Sequence, residues 1–296
     1  MAGLHIIWNP VAGNGAAVKA YAEITGALDQ RGIPFTSAES AYPGHAVELA
    51  KQAATQGYDK IIAVGGDGTV REVATALFQT DIPLGIIPCG TGNDMIRPLG
   101  ISLDPVKALD TVLGGEKRHM DAGMANDEPF FNVAGFGFDV DVLDYTEIYK
   151  KKCRNGSLAY LRGVVRAITG FQNRKTTITW PGGQEQGNVL LIAAGNGQYF
   201  GGGMKVTPDA DPFDGLLDIC VIHDVTFFTF LTLMPGFIKG RHLRHEKYVK
   251  YFRTTELTAV CEPVSRLDVD GEVLPGTPVT FRILPESLWV IVPKAE

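Results

Sequence analysis

Cysteine is scarce in the 296-residue sequence, and its four cysteines (Cys89, Cys153, Cys220 and Cys261) form neither a CxxC pair nor a His/Cys ligand spacing. That argues against a zinc site and leaves a reduced, cytoplasmic chain as the simplest expectation. No run of about eighteen apolar residues occurs, so no transmembrane helix is expected. The opening MAGLHIIWNP lacks a basic segment followed by a long apolar one and reads as a buried first strand, not a signal peptide. Positive charge is not in excess: 27 Lys and Arg face 33 Asp and Glu, a formal net charge of −6, and no nucleic-acid partner is expected. Two familiar phosphate signatures are also missing. There is no GKS or GKT to end a P-loop, and NPVAGNG stands after the first strand where a dinucleotide fold would carry GxGxxG.

Apolar mass and glycine are what the sequence has. Hydrophobic residues make up 45% of the chain, enough for one large core or two ordinary ones, and two domains are preferred, divided as 1–122 and 123–296. In the first part LHIIW, PFTSAES, KIIAVGG and PLGIIP read as strands. Residues 16–31, 44–56, 69–78 and 104–114 read as helices, with Ala17, Tyr21, Ile24 and Leu28 at helical spacing in the first. This alternation predicts an α/β, Rossmann-like N-terminal domain with a parallel sheet covered on both faces.

Beyond Asp121 the pattern changes. FFNVAGFGFDV, TTITW, NVLLIAAGN, GLLDICVI, VKYFRTTELTAV, RLDVDGE and PVTFRILP are short, β-rich and bounded by Gly, Pro, Asn or Asp. They predict a second, mainly antiparallel β-sandwich domain, with helices over 139–171, broken near Asn155-Gly156, and over 225–240.

Three strand-to-helix turns carry glycine in a form compatible with phosphate: NPVAGNG (9–15), GGDGT (65–69) and GTGND (90–94). In an open α/β sheet such turns gather outside the carboxyl ends of the strands, where backbone N–H groups and helix dipoles can face an anion. Alone, NPVAGNG is an ordinary turn and GTGND is evenly balanced between turn and site. GGDGT is harder to read so, because its aspartate would repel a phosphate unless Mg²⁺ lay between them or the acid received a proton from a hydroxyl.

These residues bring the chain to a family. NPVAGNG, YPGHAVELA, GGDGTVREV, IIPCGTGNDMIR, HMDAGMAN, FFNVAGFGFDVDV, GNGQYFGGGMKVTPDADPFDGLLDI and LDVDGE occur in the order shown by bacterial lipid kinases of the diacylglycerol kinase catalytic-domain family. The chain resembles that family over nearly its whole length. The resemblance implies ATP in a cleft between a Rossmann-like domain and a β-sandwich, Mg²⁺, and transfer of the γ-phosphate to the hydroxyl of a diacylglycerol-like lipid. It further implies a nucleotide wall of Asn9, Ser40, Gly65, Gly66, Asp67, Gly68, Thr69, Glu72, Gly90, Thr91 and Asn93.

Asp270 and Glu272 resemble the acidic pair that the second domain lends to the active site, although DGE alone is most simply a hairpin turn. Bacterial members point to Asp270 as the base and sphingosine kinases to Asp67. Asp270 is preferred, with Asp67 arranging Mg²⁺ and the γ-phosphate. DADPFDG resembles the family's structural Mg²⁺ loop, which implies Asp214 and carbonyls near Asp211 and Leu216 as oxygen ligands, and Asp121 matches a family acid in a charge network between the domains. Asn14 stands where many bacterial members have lysine, a lost charge for which Arg71 or the basic 150–166 stretch is the candidate substitute.

Residues 225–240 join Phe227, Phe228, Phe230, Leu231, Leu233 and Met234 to a basic segment with Arg241, His242, Arg244 and His245. Core burial is the plainer reading. The alternative is a transient contact with an anionic membrane surface, to which Lys150, Lys151, Lys152 and Arg154 would add. Localisation is then cytoplasmic and peripheral at the inner membrane face, with a homodimer left open. Two other functions remain: kinase of a soluble acceptor, similar to NAD kinases, and a non-catalytic nucleotide- or lipid-binding regulator.

Overall fold

The computed structural model describes residues 3–150, 158, 162–163, 165–167, 170 and 173–294. The chain forms two compact units, one of Met1–Ala122, Pro212–Asp214 and Leu284–Glu296, the other of Gly123–Asp211 and Gly215–Ile283. A division at 122/123 places the last strand wholly in the second part; the structure instead gives its later half to the first unit.

In the first unit β1 (Leu4–Trp8), β2 (Phe35–Glu39), β3 (Lys60–Gly65) and β4 (Leu84–Pro88) pair in parallel in the order β2-β1-β3-β4. The end of β15 (Val279–Val292) adds a fifth parallel strand, with Val290 opposite Leu84. Ile6, Ile7 and every residue from Ile61 to Val64 are fully buried, as expected for strands covered on both faces. The helices are α1 (Ala16–Gln30), α2 (His45–Ala54), α3 (Asp67–Leu77) and α4 (Pro105–Gly114). On α1 the buried residues are Ala17, Ala20, Ile24 and Leu28, one stripe at helical spacing. Tyr21 lies beside that stripe and stacks on Trp8 at 4.3 Å. Asp104 starts α4 by accepting the N–H groups of Val106 and Lys107, ahead of Pro105. Strand order reverses between β1 and β3, the position at which doubly wound sheets open a ligand crevice.

In the second unit β7 (Val133–Gly137), β8 (Arg174–Trp180), β9 (Gly183–Gly195), β10 (Leu217–His223), β11 (Val249–Thr254) and β12 (Glu256–Glu262) pair antiparallel, with the start of β15 beside β12. β5 (Glu116–Ala125) and β6 (Glu128–Phe130) form a further hairpin from Gly123 onward. Alternation puts Ile192 and Ala194 of β9 in one core with Phe130, Phe136 and Phe281. It puts Leu191 and Ala193 in another, with Phe230, Leu233 and Phe237 of α6 (Phe227–Ile238).

Three expected segments differ in detail. FFNVAGFGFDV is strand only to Gly137, whose φ of +122° ends it before α5 (Phe138–Lys150). VKYFRTTELTAV is two strands, because the Thr254 hydroxyl bonds the carbonyl and N–H of Glu256 and breaks the ladder. PVTFRILP continues to Val292. The middle of the helix expected over 139–171, with its break near Asn155-Gly156, lies outside the described residues, as do Lys151, Lys152, Cys153 and Arg154.

Candidate nucleotide site

The turns after β1, β3 and β4 are bound to one another. The Asn9 N–H reaches the Val64 carbonyl at 3.1 Å, and its Nδ2 donates to Thr69 Oγ1 at 3.2 Å. The Cys89 N–H reaches the Gly65 carbonyl at 2.7 Å. Asp67 Oδ1 accepts the N–H groups of Asp94 at 2.7 Å and Met95 at 3.3 Å. Asn93, itself at φ +49°, clamps Gly90 from both sides, accepting its N–H at 2.9 Å and donating to its carbonyl at 2.8 Å. The thiol of Cys89, buried beneath this turn, is pushed up to about 11 by desolvation and is inert as a nucleophile near neutral pH.

The glycines divide into two kinds. A Cβ on Gly13 would stand 1.9 Å from the Cys89 carbonyl oxygen, one on Gly65 2.6 Å from the Thr69 side chain, and one on Gly90 2.6 Å from the Gly66 Cα. These three are required by the fold. Gly68 is different: it has no positive φ, a Cβ there would meet nothing within 4 Å, and it sits exposed in the first turn of α3. No side chain caps that turn, whose first helical hydrogen bond runs from Val70 to Gly66. The N–H groups of Asp67, Gly68 and Thr69 are therefore placed to receive an anion that approaches over a residue with no side chain. A phosphate group is an anion of the kind this cradle suits. Asp67 Oδ2 takes no hydrogen bond among the described residues, a hard anionic oxygen of the kind that suits Mg²⁺.

A model of the diacylglycerol kinase catalytic domain matches residues 3–125, and one of the YegS C-terminal NAD kinase beta sandwich-like domain matches residues 132–292. The chain belongs to the diacylglycerol kinase catalytic-domain family. It is 31% identical to a diacylglycerol kinase of Bacillus subtilis over 98% of this chain and 96% of that one. It is 30% identical to a Chromohalobacter salexigens protein named "Probable lipid kinase YegS-like" over 97% and 93%. A solved Bacillus anthracis structure assigned to the diacylglycerol kinases superposes with a TM-score of 0.81 at 26% identity, covering 99% of this chain and 98% of that one. Membership of a lipid kinase family makes the protein a phosphotransferase with ATP as the implied donor.

The remaining expected residues of this lipid kinase family member take varied positions. Glu72 spends both oxygens on the N–H groups of Gly44 and Ala46, each at 3.0 Å, and so fixes the start of α2. Ser40 is buried at the end of β2, with its N–H on the Trp8 carbonyl, and Thr91 is exposed on the β4 turn. Asn14 has φ +55° between Gly13 and Gly15, both also at positive φ. Asparagine adopts that conformation more readily than lysine, a local reason for the departure from the family pattern. Arg71 is buried on α3. Asp121 accepts the Glu286 N–H at 2.9 Å, and its own N–H donates to the Pro212 carbonyl, both within the first unit.

In the second unit Asp270 (φ +51°) and Gly271 (φ +88°) form the two-residue turn of a hairpin between β13 (Leu267–Val269) and β14 (Glu272–Leu274). The Asp270 carboxylate accepts the N–H groups of Phe131 at 2.7 Å and of Asn132 and Val133 at 3.0 Å. Sequence reasoning missed this clamp, because the partners lie about 138 residues away. Glu272 is exposed beside it. Asp211 and Asp214 are both exposed. No group of three or more His, Cys, Asp or Glu side chains set to hold a metal occurs among the described residues.

On α6, Phe230, Leu233 and Phe237 are core, whereas Phe228 is 77% and Ile238 51% exposed. His242 is not part of the basic surface: it is fully buried and its Nε2 donates to the Val206 carbonyl at 3.0 Å. Lys239, Arg241, Arg244, His245 and Lys247 are exposed. No helix among the described residues is long and apolar enough to cross a membrane.

Proposed function

We propose that the protein is an ATP-dependent kinase that transfers the γ-phosphate to the hydroxyl of a diacylglycerol-like lipid. The observation that supports this reading is the uncapped start of α3 beneath three turns bound to one another, with Gly68 required there by neither a close neighbour nor a positive φ, in a chain of a lipid kinase family. The N–H groups of Asp67, Gly68 and Thr69 receive phosphate oxygens, Asn9 and Thr69 line one side, and the Asn93 clamp shapes the other. Asp67, through Oδ2, would hold Mg²⁺, which would neutralise charge on the phosphates. Asp270 receives the proton of the acceptor hydroxyl as its oxygen bonds to the γ-phosphorus and the bridge to ADP breaks, with Glu272 as its acidic neighbour. Asp211, Asp214 and the Leu216 carbonyl hold a structural Mg²⁺. Phe228 and Ile238, with the basic residues that follow, make transient contact with an anionic bilayer surface.

One observation favours a second assignment of the base. Asp270 has both oxygens engaged by backbone donors, while Asp67 has one oxygen without a hydrogen bond among the described residues. The decisive experiment is transfer of label from γ-labelled ATP with Mg²⁺ into diacylglycerol, monoacylglycerol, ceramide, sphingosine and polyprenol in mixed micelles. Labelled lipid from the wild type, lost in Asp67→Asn and Asp270→Asn, supports the reading. Tight ATP binding without any labelled lipid overturns the lipid acceptor.

A further inference from the structure

The turn from β2 into α2 carries an aromatic pair that none of the roles above uses. The rings of Tyr42 and His45 stack with centroids 4.4 Å apart and planes 11° from parallel. His45 Nδ1 accepts the Ala41 N–H at 3.0 Å, which fixes the imidazole beneath the phenol. The Tyr42 hydroxyl donates to Glu48 Oε2 at 2.9 Å, so the ring is held from its far end as well. Yet Tyr42 is 52% exposed. A hydrophobic ring locked in one orientation, with one face on an imidazole and half its surface in water, is an open stacking platform.

Its position relates it to the cradle on α3. Glu72 lies on α3, and its two oxygens hold the N–H groups of Gly44 and Ala46, the residues on either side of His45. One carboxylate therefore ties the platform to the helix whose first turn faces the phosphates. β2 and β3 flank β1 in register, so the strand ends that lead into their turns lie about 10 Å apart, two inter-strand spacings. A separation of that size suits a base and the outer phosphates of an extended nucleoside triphosphate.

We infer that the outward face of Tyr42, backed by His45, stacks on the base of the bound nucleotide and selects a large aromatic base. This rests on the reading of the β1, β3 and β4 turns as a triphosphate site and adds the base-binding part of that site. Stacking distinguishes bases by π-surface and not by hydrogen-bond pattern, so purine nucleotides are preferred over pyrimidine ones, with little discrimination between adenine and guanine. Glu72 acts here as a positioning residue.

The test compares binding of ATP, CTP and inorganic tripolyphosphate, each with Mg²⁺, by calorimetry for wild type, Tyr42→Phe and Tyr42→Ala. The expected result is an ATP affinity about tenfold lower in Tyr42→Ala, near wild type in Tyr42→Phe, an ATP-over-CTP preference that falls towards one, and tripolyphosphate affinity unchanged in all three. Unchanged tripolyphosphate binding also reports that the variants are folded. Equal loss of ATP and tripolyphosphate affinity in Tyr42→Ala, or loss of neither, overturns the platform while the phosphate turns stand. A wild type that binds neither ATP nor tripolyphosphate overturns the triphosphate site itself, and the platform with it.

Discussion

Gly66 and Gly90 meet backbone against backbone: a Cβ on Gly90 would stand 2.6 Å from the Gly66 Cα, and a Cβ on Gly66 3.1 Å from the Gly90 Cα. Two turns from different strands can close this far only when neither carries a side chain. The glycine-rich appearance of GGDGT and GTGND is thus partly a consequence of their packing on each other.

Gly90→Ala forces those turns apart. It is expected to lower stability by about 1–3 kcal/mol and to weaken ATP binding, read together in thermal melts with and without nucleotide. Gly68→Ala meets no neighbour, so its stability should change by no more than about 1 kcal/mol while the ATP-dependent rise in melting temperature shrinks. A Gly68→Ala protein with full nucleotide stabilisation would argue against close approach at that residue.

Asp67→Asn keeps a side-chain oxygen for the Asp94 and Met95 N–H groups and removes the charge. The expected outcome is a normal unfolding curve with phosphoryl transfer reduced on the order of 10²-fold or more. A variant with wild-type turnover would exclude Asp67 from the chemistry.

Asp270→Ala leaves three buried N–H groups, on Phe131, Asn132 and Val133, without their acceptor. A loss on the order of 3 kcal/mol in urea unfolding is expected. Asp270→Asn retains part of the clamp and should lose less stability, which makes it the better probe of catalysis.

Acid should weaken the protein through His242. Burial holds this imidazole below its ordinary value of 6.5, against opposing bonds to the backbone of Val206 and Gly236 and with a further lowering from His245. Below pH 6.5 the unfolded chain takes up a proton that the folded one refuses, so stability falls as pH drops from 6.5 towards the folded value, with none of this loss above it. His5, also lowered by burial, acts in the same sense. Urea midpoints at pH 7.5 and 5.5 should differ less in His242→Gln than in wild type.

The sequence by itself determined the order of strands and helices in the first 114 residues, because the apolar runs of β1, β3 and β4 and the extended stretch of β2 alternate there with helical stripes and the ends are marked by Gly, Pro and Asp. It also determined where the phosphate-compatible turns lie, since glycine and asparagine at strand ends are local signals. Tertiary structure decided what each of those residues does. Gly90 and Gly68 look alike in sequence, yet one is compelled by a backbone contact and the other is not. Glu72 and Asp270 are both acids in family motifs, yet the first fixes the start of α2 and the second gathers three N–H groups from a strand far away in sequence. His242 follows a basic residue, yet it is core. A chain pattern records which way a residue can point, but partners drawn from distant segments set its neighbours, and it is the neighbours that assign a carboxylate or an imidazole to structure or to chemistry.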